Sequence, residues 1–416
     1  MNNTNSSHTS STVPNSSPQP DISPRRQAKE TGRSFLFLIT FLVLLSAFGS
    51  FVNDMYLPTL PAMQRAFHCS VSTVQLGLTF GMIGLGLGQL TFGPISDKYG
   101  RKPILIGSLA LFCVASVVCV YSPTIHFFLI CRLFQGIGAS GGYFLARTIP
   151  ADLYGGRQLA KVMALIGAIN GFAPASAPVL GGLVAKSLGW QGIFWILFGF
   201  SSLLLIMTPR FKESLSKDNR YKGRLIDAFK EYKLMLANRR FMTHVMLKGS
   251  ALGILFAYIS AAPFIFQNHF HYTALQFGLF MGVNALFVAG GSTLALKFRP
   301  LKRASFAGSL LVLASIVALT IVLWSGKDFW LMEILFAPML LGLGMNFTVG
   351  NTLAMNEGRA NAGGASAVIG LIGYIFGAVV APLVGLGNVL HSTAVTLLIL
   401  SFLLLLFATL SRRLPT

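Results

Sequence analysis

Gly93-Pro94-Ile95-Ser96-Asp97-Lys98-Tyr99-Gly100-Arg101-Lys102 is the stretch whose reading decides the fold. It is a short polar segment between two apolar runs, each long enough to cross a bilayer. Gly93 and Pro94 are expected to break the helix, and Gly100 to permit a tight backbone. Three cations, Lys98, Arg101 and Lys102, surround one carboxylate, Asp97, which is expected to be buried. An ordinary basic loop would explain the cations. It would not explain Gly93, Asp97 and Gly100 at these intervals.

The composition agrees with an origin in the bilayer. Of 416 residues, 54% are hydrophobic and 11% charged, and the mean hydropathy is +0.68. Soluble domains carry about 25% charged residues, so a water-soluble fold of this size could not cover its surface. The chain is an all-α polytopic membrane protein. A formal charge of +20 could suggest a nucleic-acid partner, but the placement of the cations excludes one. With twelve spans and both termini on one side, 26 of the 32 lysines and arginines fall on that side. Arg65, Lys186 and Lys327 fall on the other, and Arg132, Arg147 and Lys248 lie within or near the ends of spans. Positive residues mark cytoplasmic loops, so both termini are expected in the cytoplasm. Cys69, Cys113, Cys119 and Cys131 form no framework and read as free thiols.

Apolar runs fall near residues 35–57, 72–95, 103–121, 125–149, 160–185 and 190–208. Six more fall near 241–266, 275–296, 304–324, 329–354, 364–387 and 391–410. Twelve transmembrane helices in two six-helix halves are therefore expected. The boundaries are a disordered tail over 1–34, a first half over 35–209, a cytoplasmic loop over 210–240, a second half over 241–411 and a tail over 412–416. Leu225 to Leu236 in the central loop has the pattern of an amphipathic helix lying in the membrane interface. The halves repeat. Gln75-x-Gly77-Leu78-x-x-Gly81 recurs as Gln276-x-Gly278-Leu279-x-x-Gly282, and Tyr56 and Pro61 recur as Tyr258 and Pro263. Gly167 with Ala177-Pro178-x-x-Gly181 recurs as Gly370 with Ala381-Pro382-x-x-Gly385. Three recurrences at nearly constant offset indicate duplication.

Asp54, late in the first span, is the sharpest candidate for chemistry. A carboxylate in a span costs a few kcal/mol unless paired or wetted, so its presence points to function. It could instead lie beyond the hydrocarbon and merely end the helix. Arg132, inside span 4, costs roughly 2.5–3.5 kcal/mol on insertion scales, which pairing with Asp54 or facing a wet cavity would offset; it could instead be a structural cation tied to backbone carbonyls. Arg147 lies fifteen residues on, roughly 22 Å along the helix, where it is expected to latch onto Asp97. Lys248 is expected to snorkel to the interface, and Glu333 to reach the outer one. No H-E-x-x-H motif occurs, and no second deep Asp stands beside Asp54, so an intramembrane enzyme is not expected. The absence of a sizeable soluble domain disfavours a sensor. His269 and His271 make at most a weak metal site, and neither metal nor cofactor is expected.

The opening loop resembles the pattern G-x-[LI]-[SA]-D-[RK]-x-G-R-[RK] between spans 2 and 3 of the major facilitator superfamily. Asp54-Met55-Tyr56-Leu57-Pro58 is similar to the Bcr/CflA subfamily of drug:proton antiporters. The likeness continues through Arg132-x-x-Gln135-Gly136-x-Gly138-Ala139, Leu145-Ala146-Arg147, Asp152-Leu153-Tyr154, Gly189-Trp190 and Ile193-Phe194. The run from Gly171 to Gly182 resembles the antiporter motif G-x-x-x-G-P-x-x-G-G, with Ala173 and Ala177 in place of two glycines. The resemblance implies a monomeric, proton-coupled exporter of phenicol- or bicyclomycin-like antibiotics working by alternating access. Export or import of an endogenous metabolite is the alternative. Proton coupling would fall to Asp54 and Arg132. Substrate contacts would come from Asn53, Asp54, Tyr56, Arg132, Gln135, Phe256 and Tyr258. Gating would fall to Gly93, Asp97, Gly100, Arg101, Lys102, Arg147, Pro174, Pro178, Gly181 and Gly182. One carboxylate facing one fixed cation would favour neutral, zwitterionic or weakly anionic substrates.

Overall fold

The computed structural model describes residues 32–223, 225–359 and 362–414, and every regular element among them is helical. The expected disordered tail lies outside the described residues up to position 31, as do residues 415–416 of the other tail. The helices are α1 (Gly32–Asp54), α2 (Leu60–Ala66), α3 (Val71–Tyr99), α4 (Arg101–Val120), α5 (Ile125–Leu153) and α6 (Gly156–Met207). They continue as α7 (Leu225–Ala237), α8 (Arg239–Phe264), α9 (Ala274–Ala295), α10 (Leu301–Ser325), α11 (Phe329–Glu357), α12 (Ala362–Leu383) and α13 (Val389–Arg413). The loops can be short because each supplies a cap for the next helix. Ser70 accepts from Thr73 N, Thr124 from Phe127 N, Asp328 from Leu331 N, and Thr273 and Gln276 form a reciprocal capping box.

Ten stretches among the described residues are long and apolar enough to cross a membrane. One of them, Gly156–Arg210, spans 55 residues, far more than a bilayer requires. Its two ends meet the same loop. Asp152, just before α6, bonds Arg101 at 2.9 Å, and Pro209 O, just after it, accepts from Lys102 Nζ at 2.8 Å. The helix must therefore reverse, and it does so at Gly189, whose φ of 65° a side chain would strain. It supplies two crossings. With α5, whose Arg132 and glycines lower its hydropathy, the crossings are twelve: α1, α3, α4, α5, both arms of α6, and α8 to α13.

Within the first half α3 packs on α5, α4 on α5 and α6, and α1 on α5 and α6. The second half repeats this, with α9 on α11, α10 on α11 and α13, and α8 on α11, α12 and α13. The halves meet along two seams, α3 against α12 and α6 against α9. Those seams exchange under the duplication, as the sequence repeat requires.

The polar loop that opens the chain's reading is more helical than expected. α3 runs through Gly93 and Pro94 to Tyr99, and only Gly100, at φ 106°, leaves the helix. Pro94 cannot donate to Leu90 O, and Tyr232 Oη of α7 does so at 3.4 Å. The buried charge is Arg101, 5% exposed, while the Asp97 side chain is 50% exposed. Arg101 gathers Asp97 Oδ1 at 2.5 Å, Asp152 Oδ2 at 2.9 Å and Ser96 Oγ at 2.7 Å. Glu213, from the central loop, accepts from the N–H groups of Arg101 and Lys102 and so caps α4. A Cβ on Gly100 would stand 2.6 Å from that carboxylate. The expected Asp97–Arg147 latch is not formed. Asp97 takes the residue one turn along, and Arg147 bonds Tyr143 Oη at 2.5 Å and lies over its ring. The helix expected in the central loop is present as α7.

Candidate functional site

A cavity of about 770 Å³ lies between the halves, walled by α1, α6, α8, α9 and α11. Its lining includes Asp54, Asn170, Pro174 and Pro178 from the first half. Lys248, Leu255, Tyr258, Ile259, Met281, Asn284, Val288, Phe347 and Asn351 line it from the second. The end carrying the basic loops is here called the basic end. At the opposite end the seams are closed by hydrogen bonds between halves. Gln75 Nε2 donates to Ser260 O at 2.9 Å, Thr79 Oγ1 to Ala378 O at 2.7 Å and Ser72 Oγ to Pro382 O at 2.9 Å. Gln267 Nε2 reaches Pro58 O at 2.9 Å. The second seam is sealed by backbone contact, Gly278 against Pro178 and Gly182 against Ala274. Toward the basic end the same two helices part, and Gly167, Gly171 and Gly290 have open space where a side chain would stand. The cavity thus opens toward the basic end and is shut at the other.

Asp54 is the last residue of α1, yet its carboxylate lines the cavity. It thus ends the helix and also lines the interior, rather than merely ending the helix. It is the only Asp or Glu in the lining, and no ion pair among the described residues includes it. Beside it Asn53 keeps a buried, unpartnered Oδ1.

Arg132 is placed elsewhere. It is 0% exposed and absent from the lining. Its guanidinium lies 4.3 Å over the Tyr56 ring, donates Nε to Gly77 O at 3.3 Å and bonds Gln135 Oε1 through Nη1. Gln135 in turn donates to Ser116 Oγ at 2.8 Å. Gly77 and Gly81 of the repeated motif make room, since a Cβ on Gly81 would stand 3.0 Å from Nη2. Of the alternatives the sequence offered, the structure has a cation tied to a backbone carbonyl, in a cage formed by α3, α5 and the turn after α1. Cation–π attraction and carbonyl acceptors offset the insertion cost without a carboxylate. Tyr56 and Gln135 belong to the cage, and Phe256 packs toward Gly377 of α12; none of the three lines the cavity. Asn53 is likewise outside the lining. Of the expected substrate contacts, Asp54 and Tyr258 remain.

Three lining or near-lining polar groups lay outside the expectations. Lys248 does not snorkel outward; its Nζ donates to Asn351 Oδ1 at 2.7 Å inside the cavity. Asn284 donates to Tyr258 Oη at 2.7 Å and to Glu333 Oε1 at 2.7 Å. Glu333 therefore turns inward rather than to the interface, with Oε2 buried and unpartnered. The duplicated tyrosines are thus held differently, Tyr56 beneath a cation and Tyr258 beside an amide and an acid. A lone polar residue two or three turns inside an apolar run is the available signal for both Lys248 and Asn284. The facing direction is not in the sequence.

Of the expected gating residues, Pro174 and Pro178 line the cavity, Gly181 meets Met55 O and Gly182 meets Ala274 O, all on the closed side. Gly93 and Asp97 line a second, smaller pocket at the basic end with Tyr221, Tyr232 and Ala367. No group of three metal-ligating side chains occurs among the described residues.

Residues 36–382 match the family model described as the Major Facilitator Superfamily. The chain is 33% identical over 365 residues to the uncharacterised MFS-type transporter YdgK of Bacillus subtilis (strain 168), covering 86% of this chain and 90% of that one. It is 28% identical over 369 residues to the bicyclomycin resistance protein homolog of Haemophilus influenzae, covering 84% and 89%. Among solved structures, a bacterial homolog of the human lysosomal transporter Spinster superposes with a TM-score of 0.74 at 14% identity, covering 92% of this chain and 97% of that one.

Proposed function

The chain belongs to the major facilitator superfamily, whose members are transporters and not enzymes, and on that premise we propose that it is a proton-coupled exporter of drug-like amphipathic molecules. Phenicol- and bicyclomycin-like antibiotics are the proposed substrates, moved across the bacterial inner membrane by alternating access. The observation that carries this reading is the cavity between the halves. It is mostly apolar, closed at one end, and holds one carboxylate, Asp54, that no ion pair engages. A resistance protein among the relatives supports the substrate class.

Asp54 is the proposed proton carrier. Protonated, it is cheap to enclose in an apolar cavity; ionised, it requires water. Proton release to the basic end, on the cytoplasmic side, would follow from the opening seen here. Arg132 is proposed to act on Asp54 only at a distance, by holding Tyr56 and the end of α1. The Gly93–Lys102 loop, with Asp152 and Glu213, is proposed to keep the first half rigid while the seams open and close. The functional unit is proposed to be the monomer with both termini cytoplasmic, divided at 209–210 and 240–241.

The experiment is drug susceptibility of a bacterium lacking its own exporters, with and without an uncoupler. Expression should raise the tolerated chloramphenicol or bicyclomycin concentration, and the uncoupler should abolish the gain. Protection that persists in the uncoupler would overturn proton coupling. Uncoupler-sensitive accumulation of either compound in the cells would overturn export.

A further inference from the structure

Lys248 lines the cavity toward its basic end, and Arg147 lies within electrostatic reach of it; the transport reading leaves both unused. Lys248 stands ten residues before Tyr258 on α8, roughly 15 Å toward that end. Its ammonium has three N–H donors, and Asn351 Oδ1 is the acceptor that the structure gives it, at 2.7 Å. The stem is held firmly, because α8 and α11 touch here; a Cβ on Gly350 would stand 2.9 Å from Lys248 Cβ. Both Lys248 and Asn351 line the cavity, and the only carboxylate of the lining, Asp54, belongs to its closed end.

Arg147 of α5 lies within electrostatic reach of Lys248, from the other half of the protein. It is exposed, and its partner is Tyr143, by a 2.5 Å hydrogen bond and by lying 4.4 Å over the ring. The three ion pairs among the described residues involve Arg101 and Arg220, so among those residues neither cation is paired with a carboxylate. Two like charges, one from each half, thus lie within electrostatic reach of each other, with no carboxylate paired to either among the described residues. In a poorly screened space they repel each other. An anion between them would remove the repulsion and touch both halves at once.

We propose that Lys248, Asn351 and Arg147 form an anion site at the basic mouth, which takes the carboxylate of an amphipathic substrate. The apolar body of that substrate lies along Leu255, Ile259, Val288 and Phe347 toward Tyr258. The site deepens the exporter reading, on which it rests only for the direction of travel, by naming amphipathic carboxylates as a substrate class. Neutral compounds still enter the apolar part of the cavity but leave the two cations unsatisfied.

The test is equilibrium binding to the full chain in nanodiscs of zwitterionic lipid, with radiolabelled fusidic acid and its methyl ester as probes. The two differ by one methyl group, which removes the charge. The wild type should bind the acid about tenfold more tightly than the ester, the size expected for one charge-assisted hydrogen bond. Lys248→Gln and Arg147→Gln should each bring the two probes to similar affinity, while Lys248→Arg keeps the preference for the acid. Equal binding of acid and ester by the wild type would overturn the site, and so would an acid preference that survives in Lys248→Gln. Absence of acid binding at millimolar concentration would overturn it too. The wild-type comparison stands even where a variant fails to fold. Binding needs no gradient, so an intact acid preference without uncoupler-sensitive export would sink the exporter reading and leave the site standing.

Discussion

Adding one methyl group at the closed seam should tilt the equilibrium between the two openings. On α6, a Cβ at Gly182 would stand 2.5 Å from Ala274 O and 2.8 Å from Leu275 Cα. On α9, a Cβ at Gly278 would meet the Pro178 carbonyl and stand 3.0 Å from Val179 Cα. These neighbours are backbone, so they cannot turn aside. Overpacking of this kind costs about 1–3 kcal/mol. The cost falls only on the conformation in which the seam is shut. The intrinsic helical gain of Gly→Ala, about 1 kcal/mol, applies to both conformations and cancels. Gly182→Ala and Gly278→Ala should therefore shift the population toward the opposite opening by a factor of roughly 5 to 150. Gly167→Ala and Gly290→Ala, on the same two helices with nothing within 4 Å, add no clash to this conformation and should give no shift toward the opposite opening. The assay is the distance distribution between spin labels on exposed Ser187 and His271, in a chain whose four cysteines are replaced. The seam variants should gain a longer distance at that end. Distributions identical to the parent in both seam variants would refute the reasoning.

Asp152→Asn should lower the melting temperature of the purified protein more than Asp97→Asn, because it strips the inner partner of buried Arg101 while Asp97 is half solvated. The expected difference is about 1–3 kcal/mol. In double-mutant cycles Asp97 should couple to Arg101 and not to Arg147; coupling to Arg147 in the resting protein would contradict the network. Asn284→Ala leaves both Tyr258 Oη and Glu333 without their shared donor, and should cost a further 1–3 kcal/mol or so in thermal unfolding. Export of a neutral molecule for one proton moves one charge, and export of a monoanion moves two. The membrane potential should thus contribute about 2.3 kcal/mol per 100 mV for chloramphenicol and about twice that for fusidate. Equal voltage dependence of the two in proteoliposomes would argue against one-for-one exchange.

Much of this architecture was legible in the chain itself. The spans, the reversal of sides by basic loops and the duplication all follow from hydropathy, charge and spacing. The duplication even anticipates the seams, since Gly278, a member of the repeated motif, forms one of them. The facing of each helix was not legible. In water an apolar stripe marks the buried side, but in lipid the outside of the bundle is as apolar as its core. Lys248 could then be read as snorkelling outward, and Arg132 as facing the cavity, when each does the reverse. The latch is not formed in this conformation, for a related reason. Arg147 and Asp97 are plausible neighbours by depth alone, but Arg101 lies one turn from Asp97 and is buried among its acceptors. Glu213 was invisible, because a carboxylate in a long polar loop carries no mark of the helix it caps.

The central claim is that a proton on Asp54 drives the cycle. Proteoliposomes holding the purified chain, given an inward-acid pH gradient, should accumulate radiolabelled chloramphenicol above the external concentration. With Asp54→Asn the accumulation should vanish, while downhill exchange of labelled for unlabelled drug continues at a comparable rate. Gradient-driven accumulation by Asp54→Asn equal to that of the wild type would contradict the account.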